Sequence, residues 1–208
     1  MKTLGMLKSR AIGRLVLCTL ILMLGLATTV YGCACCAEPG TWFHENRKSD
    51  KEVLSIVGDL QRRLGGTAAL FVTGAGVEDV RGIDRAVDSY TLRSVGSRAR
   101  EWKLEFVDEK GNRGTLSFIV PSTIVSYGAD PGDVQGRESG PLLYKEWRLQ
   151  GRVTGSGIFK RGVGAGARFR LVLQGRGNMC AAAEDFKSWI LQVNGPRADF
   201  SFHGQFKQ

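Results

Sequence analysis

Histidine is almost missing from this chain. His44 and His203 are the only two, so imidazole acid–base chemistry would have to run through one of them. Neither belongs to an H-E-x-x-H pair, and no G-x-S-x-G elbow is present to expose a serine nucleophile. The paired C-x-x-C knuckles of zinc modules are absent as well. No nucleic-acid recognition motif occurs. No linker or break in composition divides the residues after the apolar start. These absences leave no convincing catalytic constellation, no metal centre and no cofactor site to assign. A hydrolase would need a site assembled by the fold, with His44 or His203 set against a serine or cysteine.

What the chain does have begins at its start. Lys2, Lys8, Arg10 and Arg14 precede Leu15 to Tyr31, a stretch without a charged residue. A basic segment followed by an apolar one is the layout of an export signal. Small residues at Gly32, Ala34 and Ala37 offer cleavage positions. Val30-Tyr31-Gly32-Cys33 also resembles a lipobox, in which Cys33 would be acylated, although Tyr31 departs from that pattern. The run is shorter than the span of about 20 residues that crosses a bilayer, but an uncleaved anchor stays open beside cleavage and lipidation. Each reading places the rest outside the cytosol, in a secreted, periplasmic or envelope setting. Residues 1–32 are read as signal, 33–48 as a cysteine-containing N-terminal segment and 49–208 as one β domain.

Charge and cysteine usage follow from that division. Four of the 29 Lys and Arg lie before residue 33 and none of the 20 Asp and Glu do, so the remainder carries +5 rather than the +9 of the whole chain. Cys33, Cys35, Cys36 and Cys180 remain beyond the signal. An even count in an oxidising compartment reads as disulfides. Adjacent Cys35 and Cys36 are poorly placed to bond each other, so Cys180 is expected to tie to one of the N-terminal three. Three thiolates near His44 could instead hold zinc or copper(I), but C-x-C-C is not a knuckle spacing. The acidic run Asp130-Pro131-Gly132-Asp133 with Glu138 lacks the alternating oxygen spacing of a calcium loop and reads as a solvated connection.

The periodicity predicts a mainly β fold. Val53, Ile56, Val57, Leu60 and Leu64 recur at helical spacing behind Ser49-Asp50-Lys51-Glu52, which fits a capping box, so residues 50–64 read as a helix. A strand competes there, given the β-formers in Val53-Leu54-Ser55-Ile56-Val57. Residues 42–51 are polar and read as irregular. After Gly66 the period drops to 2, in segments at 68–73, 89–93, 102–106, 116–120, 143–153, 169–174, 189–193 and 200–206. A short helical excursion is expected near residues 180–187. The expectation is an antiparallel meander of about eight strands closing into a barrel or sandwich, with one N-terminal helix.

Two candidate surfaces emerge from the strand phases. Arg148, Arg152, Arg168, Arg170 and Arg176 all occupy even positions on two strands expected to pair. They would line one polar face and attract a polyanion such as an envelope lipid headgroup or an acidic glycan. Against this stands a plain solvated face. Trp102, Trp147, Phe169, Trp189, Phe200 and Phe202 share the inward phase. They would either fill a packed barrel or line a lipocalin-like cavity for a small apolar ligand. Gly162, Gly164 and Gly166 precede a strand rather than a helix, so they read as a turn and not as a phosphate cradle. Glu184-Asp185 is an acid pair whose neighbours face different ways. The function expected is an exported cell-envelope or extracellular binding or structural module, with the ligand carrier and the hydrolase as rivals.

Overall fold

The computed structural model describes residues 42–72, 76–95, 100–130, 143–177 and 182–207. All five cysteines, the residues read as a signal, and most of the acidic loop at 130–138 lie outside them. The described residues form ten strands and one α-helix: β1 Trp42–Lys48, α1 Lys51–Arg63, β2 Gly65–Leu70, β3 Ser89–Ser94, β4 Glu101–Val107, β5 Arg113–Ile119, β6 Thr123–Ala129, β7 Tyr144–Gly157, β8 Arg168–Arg176, β9 Phe186–Gly195 and β10 Ala198–Gln205.

Eight of these strands close an antiparallel barrel, in the order β2-β3-β4-β5-β7-β8-β9-β10 and back to β2. Chain order and spatial order agree except at β6, which leaves the barrel wall. β7 is long enough to serve both arrangements. Its C-terminal half pairs with β5 (Phe118 opposite Val153) and its N-terminal half with β6 (Tyr127 opposite Glu146), while β8 runs along its other edge. β1 pairs with β6 along its whole length. The barrel therefore carries a two-stranded ribbon on its wall.

β1 and β6 correct the sequence reading. Residues 42–48 form a strand rather than an irregular segment, and their exposure alternates along it. The strand reads as polar because it lies at the end of the strand order among the described residues, and charged side chains are usual on such an edge.

The helix forms where expected, with a different cap. Asp50 is the N-cap and accepts the Val53 N–H at 3.0 Å. Ser49 is instead buried, its Oγ donating to the Pro121 carbonyl at 2.6 Å. The helix lies across one mouth of the barrel. At its start, the Ser49 N–H reaches Ser122 O at 2.9 Å, and Arg100 donates to Ser49 O at 3.2 Å. At its end, Arg63 exchanges bonds with Lys207 and donates to the Ala183 carbonyl. Val53, Ile56, Val57 and Leu60 thus join the barrel core.

The opposite mouth is closed by the connection from β7 to β8. Phe159 stacks on Phe200 (centroids 5.6 Å apart) and meets Phe106 edge-on at 5.4 Å. The backbone is close-packed there: a Cβ on Gly162 would lie 2.1 Å from the Gly82 Cα. Of the helical excursion expected near 180–187, residues 180 and 181 lie outside the described residues, and the rest holds the 3-10 turn Ala183–Asp185 before Phe186 and Lys187 enter β9.

Candidate functional site

Strand alternation sends Trp147, Leu149, Gly151, Val153, Phe169, Leu171 and Leu173 inward, and the alternate residues outward. The register of β7 on β8 then fixes which outward groups meet. Arg152 is directly opposite Arg168, Gln150 opposite Arg170, Arg148 opposite Val172, and Tyr144 opposite Arg176. The five arginines therefore do share one face, but they divide into two groups.

Arg152, Arg168 and Arg170 are exposed at the far end of the face, and no acidic partner is paired with any of them among the described residues. Two cations facing each other across adjacent strands cost stability, of order 0.2–1 kcal/mol. Asp199 of β10 shares this face but lies two strands from Arg168 and is engaged by Arg81 and Asn194. On β9, the residues opposite Arg168 and Arg170 are Asn194 and Gln192, neutral amides that add donors and acceptors.

Arg148 and Arg176 are engaged nearer the ribbon. Glu146 is 8% exposed and forms an ion pair with Arg148. The Tyr144 hydroxyl donates to Glu146 at 2.7 Å, and Gln174 Nε2 reaches the Tyr144 oxygen at 2.9 Å. Burial raises the Glu146 pKa, but the hydrogen bonds from Tyr144, Arg148 and Gln174 more than offset it and leave the carboxyl below its ordinary value. Burial and the Glu146 carboxylate push the Tyr144 phenol up to about 12. The Glu146 carboxylate is thus ionised while Tyr144 keeps its proton, and both are hydrogen-bonded within the cluster. Arg176 also has a partner of its own.

A 260 Å³ cleft continues the arginine face. Phe71 continues β2 and is 57% exposed, and its N–H bonds Ser201 O at 2.8 Å. One outward row therefore runs Phe71, Ser201, Gln192, Arg170, Gln150, and a second runs Arg81, Asp199, Asn194, Arg168, Arg152. Asp79 and Val80 stand over the β9–β10 part of these rows and make the cleft. Phe71 and Asp79 were not legible as site residues, because their place depends on how residues 76–82 cross the sheet. Gln192 and Asn194 did carry a signal: they share the phase of Arg168 and Arg170 on the neighbouring strand.

The six inward aromatics occupy the core. None is more than 5% exposed. Trp102 lies 5.7 Å from Phe118, which stacks on Phe169 at 4.1 Å. Phe200 and Phe202 are 5.5 Å apart, and Trp189 Nε1 donates to Gln205 O at 3.3 Å. Trp147 contacts Phe186 at 5.2 Å, with the Arg47 guanidinium 5.7 Å from its ring.

The two histidines are not brought together. His44 is exposed on β1 opposite Tyr127, and His203 is exposed on β10 opposite Ile190. Of the acid pair, Asp185 is bound by buried Lys145, while Glu184 offers its carbonyl to Lys187 at 2.7 Å. No group of three metal-ligating side chains occurs among the described residues. Comparison of the chain with protein-family models, with curated protein sequences and with solved structures finds no match.

Proposed function

We propose that this chain is an exported binding module that holds a polyanion on the outer face of β7, β8 and β9. The observation that carries this reading is the Arg152–Arg168 pair: two exposed arginines stand directly opposite each other with Arg170 beside them, and none of the three has an ion pair among the described residues. Such a set is unfavourable in the free protein and becomes favourable when an anion bridges it. Export is read from the basic and apolar start of the chain. The close packing of the aromatic interior supports a surface site over a carrier cavity.

The test is co-sedimentation with phosphatidylglycerol vesicles, paired with titration of inorganic polyphosphate. Arg152→Ser with Arg168→Ser is expected to weaken binding at least about tenfold, the effect of losing charge-assisted hydrogen bonds. Binding should also fall as salt rises. The same double variant should be no less stable than the parent at low ionic strength, since it removes a repulsion. Unchanged binding of both probes by a folded double variant would sink the reading.

A further inference from the structure

We infer that the polyanion is an acidic glycan in which charged sugars alternate with uncharged, hydroxyl-rich ones. This rests on the polyanion reading above and narrows it. The arginine face does not end in open solvent. Across β9 it runs into the cleft, with Gln192 and Ser201 on its floor and Phe71 and Asp79 at its walls. At the spacing of adjacent strands, about 4.8 Å, the cleft floor begins about 5–10 Å from Arg168 and Arg170. That is the reach of neighbouring pyranose rings in one chain.

The two halves of the surface call for opposite chemistry. The arginine half is positive and mainly donating, with the Gln150 amide as its neutral member. The cleft half is acidic: Asp79 is exposed with no ion pair among the described residues, and Asp199 is held by Asn194 (2.9 Å) and Arg81 (3.4 Å). A second acid group entering the cleft would meet like charge. A sugar hydroxyl would instead donate to Asp79, and the amides of Gln192 and Asn194 can both give and accept. Phe71 is exposed and lines the same space, offering an aromatic ring against which the C–H face of a pyranose can lie. A bilayer presents charge at every headgroup, so it matches the arginine half alone.

The experiment uses the full chain and three probes: a hyaluronan hexasaccharide (glucuronate alternating with N-acetylglucosamine), uncharged chitohexaose, and phosphatidylglycerol vesicles. Hyaluronan is expected to bind and chitohexaose to bind much more weakly. Asp79→Asn and Phe71→Ala, both on exposed side chains, should each weaken hyaluronan binding about tenfold and leave vesicle binding unchanged. The sign for Asp79 is decisive. If that carboxylate only repels the ligand, Asp79→Asn will tighten binding, and the inference is overturned. Arginine-dependent binding of vesicles without binding of hyaluronan overturns the glycan and leaves the polyanion reading standing. Equal binding of chitohexaose removes the need for charge and overturns the acidic glycan, whereas failure of hyaluronan, vesicles and the polyphosphate of the first test alike overturns both.

Discussion

At Glu146 a single side chain shows how burial and hydrogen bonding compete. Burial alone would push its proton affinity up, yet Tyr144, Arg148 and Gln174 hold the carboxylate ionised below its ordinary range. Asp108 is held down in the same direction by the Asn112 side chain (2.7 Å) and by the N–H groups of Asn112 and Lys110. The sign of the linkage follows. The unfolded chain protonates these groups near pH 4, while the folded chain does so only at lower pH. Their stabilisation is therefore complete above that range and is lost as pH falls through it. Glu146→Gln should lower stability at pH 7 by about 1–3 kcal/mol, because the buried amide cannot replace the charge-assisted bonds. It should also flatten the dependence of the urea midpoint between pH 5 and 3. A variant as acid-sensitive as the parent would show that Glu146 is not one of the groups that titrate.

Among the elements, the eight barrel strands were legible and the two ribbon strands were not, for a physical reason. A barrel strand buries one face fully, so its apolar residues alternate cleanly, as in Trp102-Leu104-Phe106 or Phe169-Leu171-Leu173. In Trp42-Phe43-His44-Glu45-Asn46-Arg47-Lys48 the better covered face holds Phe43, Glu45 and Arg47, each only half-buried. Phe43 lies against Gly128, and Arg47 lies over Trp147. Such a face has no need of an apolar pattern. The arginine face was legible from phase alone. Which arginines are free was not, because Glu146 sits on the same strand and claims Arg148. The end of β7 illustrates a backbone demand that a sequence does not display. Gly157 has φ +60, and a Cβ there would lie 2.0 Å from the Arg113 carbonyl oxygen. Gly157→Ala is expected to cost about 1–3 kcal/mol from backbone strain, read as a lower urea midpoint. An unchanged midpoint would mean that β5 and β7 can part at this point without loss.

For the whole molecule, closure of the barrel makes stability a shared property. Every barrel strand has two paired neighbours, and both mouths are stoppered, by α1 at one end and by the β7–β8 connection at the other. Phe159 is the residue through which the second stopper enters the core. It is fully buried, and its ring meets Phe106 of β4 and Phe200 and Phe202 of β10. Removing it takes contacts from strands on both sides of the barrel, and these rings cannot all collapse inward while their strands stay paired. Phe159→Ala should therefore cost about 3–5 kcal/mol, a large share of the roughly 5–15 kcal/mol that holds a domain folded. Because the strands form one closed ring, the loss should appear everywhere at once. Far-UV circular dichroism and the fluorescence of the buried Trp102, Trp147 and Trp189 should report the same lowered midpoint. If the tryptophan signal moved while the β signal stayed, the connection would be a local lid over an independently stable barrel.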